Sequence, residues 1–162
     1  TCALPIYCLK AIYESLNVQK GPEELAHPYG QARDHCIVAL GKIIKNQSDC
    51  VPNLPEVVKL WVDNLPIKFE KKEARAQHEL LLDIILTSNA SLIFGEKGEN
   101  MPHVVKIFAE IVNTKLSTDA IKTKILQVIQ LLASNEGTQT LLKNAIAGLE
   151  EKLQNKLKEV IG

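Results

Sequence analysis

The stretches ALGKIIKNQSDCVP (residues 39–52) and LPEVVKLWVDNLP (residues 54–66) predict a helix, a short loop and a second helix. The first holds the end of one amphipathic helix and a short polar loop, and the second opens a new helix with proline in its first turn. The apolar centres of the long predicted helices, Ile43, Ile85 and Ile129, lie 42 and 44 residues apart. This spacing is typical of HEAT and armadillo repeats, about 40–47 residues, whose helix pairs bury their apolar faces against neighbouring pairs.

Length and composition limit the classes of protein and of partner. The 162 residues are one domain's worth, and 46% are hydrophobic but only 4% aromatic, as in helix-on-helix packing. The 19 basic and 19 acidic residues cancel, which removes the bulk electrostatic argument for nucleic acid. No apolar run approaches the ~20 residues that cross a bilayer. We therefore expect neither direct nucleic-acid binding nor a membrane partner.

The four cysteines, Cys2, Cys8, Cys36 and Cys50, form no CxxC motif and no recognisable disulfide framework. Cys8 and Cys36 fall on apolar helix faces, so we expect them to be buried free thiols. That favours a reducing compartment, the cytosol or the nucleus.

Two interpretations are open for residues 1–7. TCALPI (residues 1–6) is the peptide that a common sequencing-adapter oligonucleotide encodes in one reading frame, so the segment is a possible artefact. Alternatively, Ala3–Pro5 opens a native helix, because proline is tolerated in a first turn. In both interpretations the chain starts abruptly, without an initiating methionine, and we expect it to be part of a longer protein.

The periodicity predicts an all-α fold, a HEAT/ARM-type α-solenoid fragment with about three antiparallel helix pairs plus a terminal helix. The repeat region covers residues 8–162, with pairs at about 8–46, 54–88 and 101–134 and one or two helices at 138–161, broken near Gly148. The individual helices are predicted at about 8–17, 31–46, 54–65, 72–88, from 101, and after an N-cap cluster at 117–119. The segments 19–30 and 89–100 are predicted loops. By analogy with HEAT geometry, the second helix of each pair lines the concave side.

Metal, cofactor and catalytic sites find no support in the sequence. The four histidines, His27, His35, His78 and His103, have no metal-ligand spacing and are expected to be ordinary surface or half-buried residues. Gly95–Gly98 is a polar turn and not a nucleotide cradle, and no hydrolase, phosphate-loop or zincin motif is present. We predict a binding protein that is not an enzyme and has no cofactor.

Polar stripes on the second helices are the candidate partner-binding residues, although every amphipathic helix also has a solvent-facing stripe. Trp61 has two interpretations: a core residue on the stripe with Val57 and Leu65, or the partly exposed wall of a phenylalanine pocket. The candidates are Lys42, Lys45, Trp61, Lys72, Arg75, Glu79, Asp83, Gln127 and Gln130. The run 68–75 is either a solvated first turn or a docking edge. A four-residue apolar stripe at Leu149, Leu153, Leu157 and Ile161 is expected to cap the last repeat, with binding of a membrane or a partner helix through its leucines as the alternative.

Several short elements occur in one order that resembles a known family. They are Gly41-Lys42-Ile43, Asp49-Cys50-Val51, Trp61, Leu65-Pro66, Lys72-Glu73-Ala74, a Leu/Ile-rich helix at 82–85 and the segment 92–107. Over residues 31–112 the chain resembles the C-terminal HEAT repeats of the importin-β, or karyopherin-β, superfamily, in its importin-5-type branch. The loop at 19–31 is longer than in that pattern, and the last helix is more charged.

The resemblance implies a nuclear transport receptor that shuttles between cytoplasm and nucleus through the nuclear pore. Such receptors bind import cargo and Ran-GTP on the concave face and phenylalanine-glycine nucleoporins on the convex face. Their main Ran-GTP contacts lie in N-terminal and middle repeats, which we expect to lie outside this chain. The alternatives are a HEAT-repeat scaffold or adaptor outside nuclear transport, and an enzyme-associated helical domain.

Overall fold

The computed structural model describes residues 3–17, 27–87 and 89–161, which form nine α-helices and no strand. The helices are α1 (Ala3–Asn17), α2 (His27–Gln47), α3 (Leu54–Asp63), α4 (Lys71–Leu86), α5 (Ala90–Phe94), α6 (Met101–Ile111), α7 (Asp119–Ser134), α8 (Glu136–Ala147) and α9 (Glu151–Ile161). A short 3-10 turn, Ser48–Cys50, follows α2. The predicted all-α fold class, with helices in a repeat-like layout, is confirmed.

The chain divides into two compact units, and the division falls inside α4. The first unit ends at Gln77 and the second begins at His78. In the first unit α2 packs against α1 and α3. In the second, α6 packs against α5, α8 and α9, and α7 also packs against α8 and α9.

The core of the first unit forms where α3 approaches α2 and the start of α4. The Trp61 side chain is fully buried, and its Nε1 donates a hydrogen bond to Gln77 Oε1 at 3.0 Å. Gly41 on α2 faces both side chains, and a Cβ at this position would collide with Gln77 Oε1. Gly41 therefore allows the close helix approach that the sequence predicted, because any side chain would push α2 away.

The core of the second unit is organised around α6, which is apolar on almost all sides. Its buried residues are Met101, Val104, Val105, Ile107, Phe108, Ala109 and Ile111. A helix that is hydrophobic around most of its circumference must be surrounded by other elements. The packing of α5, α8 and α9 against α6 meets that requirement.

Two predicted helix starts are confirmed, and one open alternative is decided. Helix α6 starts at Met101 with a proline in its first turn. Helix α7 starts after Thr118, whose hydroxyl oxygen accepts a hydrogen bond from the Ile121 N–H at 3.2 Å. The last segment is two helices and not one, because α8 and α9 are separated at Gly148–Glu150.

Two predicted loops are partly wrong. Helix α2 begins at His27 and not near residue 31, since a proline at position 28 fits a first helical turn; the rest of that predicted loop lies outside the described residues. The predicted loop at 89–100 contains α5, whose Ile93 and Phe94 are buried. The free energy gained by removing these apolar side chains from water offsets the conformational entropy lost when the segment becomes helical.

The ends of two other elements also differ from prediction. Helix α3 ends at Asp63, two residues before the predicted end, and the Leu65–Pro66 peptide bond is cis. On α9 the predicted four-residue apolar stripe does not include Ile161, which is 41% exposed, whereas Val160 is buried. Four residues exceed one 3.6-residue turn, so a four-residue stripe rotates out of the interface along the helix.

The cysteine and histidine predictions need correction. Cys8 and Cys36 are free thiols, as predicted, but Cys8 is exposed and Cys36 only half-buried. Cys50 is disulfide-bonded, so the expectation of reduced thiols does not hold for it. His78 is fully buried, because it lies on the same face of α4 as the buried Ala74, Leu81 and Ile85, and its Nδ1 donates to Leu116 O at 3.1 Å.

The first helix also starts earlier in the structure than the sequence predicts. Helix α1 begins at Ala3, five residues before the predicted start at Cys8. Ile6 and Tyr7 on this first part of α1 are exposed. Within the described residues, no helix combines the length and apolarity needed to cross a bilayer.

Candidate partner-binding surface

The predicted contact residues of the first unit lie on the surface, with one exception. Lys42 and Lys45 on α2 are exposed, and so are Lys72 and Arg75 on α4. Lys42 Nζ lies 3.7 Å from Glu73 Oε2, which links the polar side of α2 to the first turns of α4. Both side chains of this pair are more than one-third exposed, so the link contributes little to stability.

The exception is Trp61, which has no exposed surface. Its indole packs in the core and its N–H is used by Gln77, so the core interpretation is the one that fits. An alternative in which Trp61 forms the wall of an open phenylalanine pocket does not fit its complete burial. Trp61 can influence partner binding only by stabilising the helices that carry the exposed residues.

A buried carboxylate positions the segment that leads into α4. Asp34 on α2 is 4% exposed, and its Oδ2 accepts hydrogen bonds from the backbone N–H groups of Phe69 at 2.8 Å and Glu70 at 3.1 Å. Gln31 Nε2 donates to Glu70 Oε1 at 3.1 Å. Four N-terminal N–H groups of a helix lack intrahelical partners, and a carboxylate near this end also complements the helix dipole. The sequence analysis did not identify Asp34. Its position three residues before the buried Ile37 could have indicated an acidic residue on the buried side of α2.

In the second unit the predicted residues Glu79 and Asp83 converge on one lysine. Lys124 Nζ on α7 donates to Asp83 Oδ1 at 2.7 Å and to Glu79 Oε1 at 2.8 Å. The two carboxylate side chains are about half exposed and the lysine is 26% exposed. Lys124 therefore ties α4 to α7 and was not among the predicted residues. Lys124 lies 45 residues after Glu79, which is about one repeat period. This spacing could have predicted that the two side chains occupy equivalent positions on neighbouring repeats.

The lysine of this cluster has an altered proton affinity. The hydrogen bonds to Asp83 and then to Glu79 raise the pKa of Lys124 above its ordinary value of 10.5. A lysine whose pKa is raised by folding stabilises the protein in its charged form. That stabilisation is fully present below pH 10.5 and is lost as the pH rises through the folded-state pKa.

We expect Lys124→Met to lower the free energy of unfolding by about 1 kcal/mol at neutral pH, because two partly exposed ion pairs are lost. The difference from wild type should shrink above about pH 10.5, where the wild-type lysine also loses its charge. Urea denaturation at several pH values would measure this. Burial and the nearby Glu56 raise the pKa of Tyr13, which also destabilises the fold at high pH, but this effect is common to both proteins and cancels.

Lys122→Met is the matched control, since it removes the same charge from the same helix. An equal loss of stability in Lys122→Met and Lys124→Met would contradict a specific role for the Lys124 cluster. So would a difference between wild type and Lys124→Met that stays constant up to high pH.

The remaining predicted residues, Gln127 and Gln130, are exposed on α7. The next residue, Leu131, is 49% exposed. Thr123 and Ser134 continue this stripe at three- and four-residue steps, so the solvent side of α7 carries no charge beyond its first turns. The two glutamines can offer hydrogen bonds to a partner beside a modest apolar contact.

The described residues contain no cluster of metal-ligating side chains. No three His, Cys, Asp or Glu side chains gather as a metal site within residues 3–17, 27–87 and 89–161. Gly95 and Gly98 both have positive φ and the N–H of Gly98 bonds to the carbonyl of Gly95, as expected for the predicted turn. A scan of the chain against protein-family models finds no match.

Proposed function

We propose that this chain is the C-terminal part of a nuclear import receptor of the importin-β type. In this role it binds import cargo and phenylalanine-glycine nucleoporins, and Ran-GTP bound to other repeats of the receptor releases the cargo. The receptor shuttles between cytoplasm and nucleus through the nuclear pore. Binding needs no cofactor, metal or chemical step.

One observation carries this proposal more than the others. The helices predicted as second members of pairs, α2, α4 and α7, each present a solvent-facing polar stripe of their own. On α2 and α7 the predicted residues Lys42, Lys45, Gln127 and Gln130 are exposed. Extended surfaces built from successive helical repeats are typical binding platforms.

The residues that carry the resemblance also support the proposal by their structural roles. Gly41 and Trp61 meet at Gln77 in the core of the first unit. Residues that fix the approach of two helices are those that a repeat family would share, because the packing of neighbouring helices depends on them.

The test is binding of the purified chain to immobilised phenylalanine-glycine repeats, with serine-glycine repeats of the same length as the control. We expect saturable binding that requires the phenylalanines, because neutral repeats can bind only through their apolar side chains. A second protein that starts at Cys8 should bind equally, since residues 1–7 are not expected to contribute. Ran-GTP should leave this binding unchanged, because its main contacts are expected in repeats outside this chain.

The outcomes separate the proposal from its alternative. A HEAT-repeat scaffold or adaptor outside nuclear transport should ignore the phenylalanine-glycine repeats while remaining folded by circular dichroism. Equal retention on both matrices would indicate nonspecific adsorption. Either result would count against the nucleoporin-binding part of the proposal.

A further inference from the structure

One surface of the first unit combines an exposed aromatic ring with a group of cations. Phe69 is 40% exposed, although burial of a phenylalanine side chain is favourable. Four exposed basic residues surround it in the sequence: Lys68, Lys71, Lys72 and Arg75. We call these five residues the 68–75 surface.

The exposed ring is held in place from behind. The Phe69 ring lies directly against Gly30 of α2, where a Cβ would collide with it. The Phe69 and Glu70 N–H groups are fixed by the buried Asp34 carboxylate. A ring and backbone that are already ordered lose little conformational freedom when a partner binds, so the surface is preorganised for binding.

The 68–75 segment carries four basic residues and two glutamates, so its net charge is positive. Glu70 accepts a hydrogen bond from Gln31, and Glu73 faces Lys42. Lys71 and Lys72 occupy the first turn of α4, where the helix dipole is positive and basic side chains are unfavourable. These lysines therefore do not serve the stability of α4. A local conflict of this kind is expected where a residue has a binding role.

We propose that the 68–75 surface docks an acidic peptide segment of a partner protein. An apolar side chain of the peptide covers the Phe69 ring, and carboxylates on either side of it meet the lysines and Arg75. Charge complementarity of this kind sets partner choice and association rate. The assignment goes beyond the proposed function, since phenylalanine-glycine repeats carry no charge, and it holds for a transport receptor and for a scaffold.

An acidic peptide fits this surface better than a nucleic acid does. The basic residues are interrupted by Glu70 and Glu73, which would repel a continuous phosphate backbone. The chain as a whole carries no net charge and so provides no long-range attraction for a polyanion. A short peptide can place its few carboxylates beside the cations and avoid the two glutamates.

The test is fluorescence anisotropy with a short labelled peptide of alternating aspartate and leucine. Control peptides replace aspartate with asparagine or with lysine, and labelled oligo-dT serves as the polyanion. We expect the whole chain to bind the acidic peptide saturably and to bind the controls at least about tenfold more weakly.

Two double variants with the same change in charge locate the binding site. Lys71→Gln/Lys72→Gln should weaken peptide binding by about tenfold or more, whereas Lys152→Gln/Lys158→Gln on α9 should leave it within about twofold. The first double variant should keep or raise the urea midpoint, because it removes cations from the positive end of α4. Phe69→Ala should weaken binding without reducing its dependence on salt, since it removes the apolar contact and no charge.

Several results would overturn the assignment. One is a folded wild-type chain that does not bind the acidic peptide. Another is equal weakening by the two double variants, which would indicate attraction by charge alone. Tighter binding of oligo-dT than of the peptide would replace the acidic peptide with nucleic acid as the occupant.

Discussion

Trp61→Ala should lower the free energy of unfolding of the first unit by about 3–5 kcal/mol. The indole is fully buried between α3, Gly41 of α2 and Gln77 of α4, so its removal leaves a cavity in the centre of the core. The substitution also leaves Gln77 Oε1 buried without the N–H that it accepts. Urea denaturation followed by far-ultraviolet circular dichroism would measure the loss.

Trp61→Phe separates the hydrogen bond from the volume of the ring. It keeps much of the apolar contact but removes the donor to Gln77 Oε1, and we expect it to cost about 1–3 kcal/mol. Combining it with Gln77→Leu should cost less than the two single changes added together, because the unsatisfied carbonyl is then absent. A Trp61→Ala protein within about 1 kcal/mol of wild type would contradict the core role.

Complete burial of Trp61 also predicts how its variants affect binding. A variant should lose affinity for a partner only in proportion to the fraction of unfolded protein. Binding measured at low temperature without denaturant, where Trp61→Phe is still folded, should therefore match wild type. A folded Trp61→Phe protein with much weaker binding would indicate that the indole contacts the partner.

Asp34→Ala should destabilise the first unit by about 2–4 kcal/mol. The buried carboxylate accepts two backbone hydrogen bonds, at 2.8 and 3.1 Å, and alanine would leave both N–H groups without this acceptor. Hydrogen bonds to a charged group are worth more than neutral ones, so the loss is larger than that of a typical surface contact. Thermal and urea denaturation would both report it.

Asp34→Asn and Asp49→Ala are the controls for this prediction. Asparagine keeps the size of the side chain and one carbonyl oxygen, so it should restore part of the stability lost in Asp34→Ala. Asp49 is an exposed aspartate on the 3-10 turn, and its replacement should change stability by less than about 0.5 kcal/mol. Equal effects of Asp34→Ala and Asp49→Ala would show that the anchor at Phe69 and Glu70 is unimportant.

Local patterns were sufficient to predict most of the helices. The spacing of apolar residues gave α3, α4, α6 and α7, because a helix must turn one face to a core and that face repeats every 3.6 residues. The cap at Thr118 and the prolines in the first turns of α3 and α6 act on residues within one helical turn. The starts of these helices can therefore be predicted from the local sequence alone. The same patterns placed the exposed residues Lys42, Lys45, Gln127 and Gln130 on polar faces.

Errors occurred where distant residues decide the outcome. The segment 90–94 is too short to show a period, and it is helical because Ile93 and Phe94 find a core. His78 was expected at or near the surface, but its position beside Leu81 and Leu82 on α4 carries it into the core, where Leu116 O accepts its hydrogen bond. A polar residue on an apolar stripe is acceptable only if a partner is supplied by another part of the chain.

The all-α fold class, the apolar faces of the helices and the exposure of long polar side chains all follow from local sequence patterns. Three features depend instead on the folded chain: Trp61 is closed to partners, Lys124 joins Glu79 and Asp83, and Asp34 fixes the segment that carries Phe69. The difference lies in the range of the interactions, because helix formation and amphipathicity depend on neighbours within about two turns. Burial and hydrogen bonding depend on residues that are 16 to 45 positions apart in the chain and meet only in the folded protein.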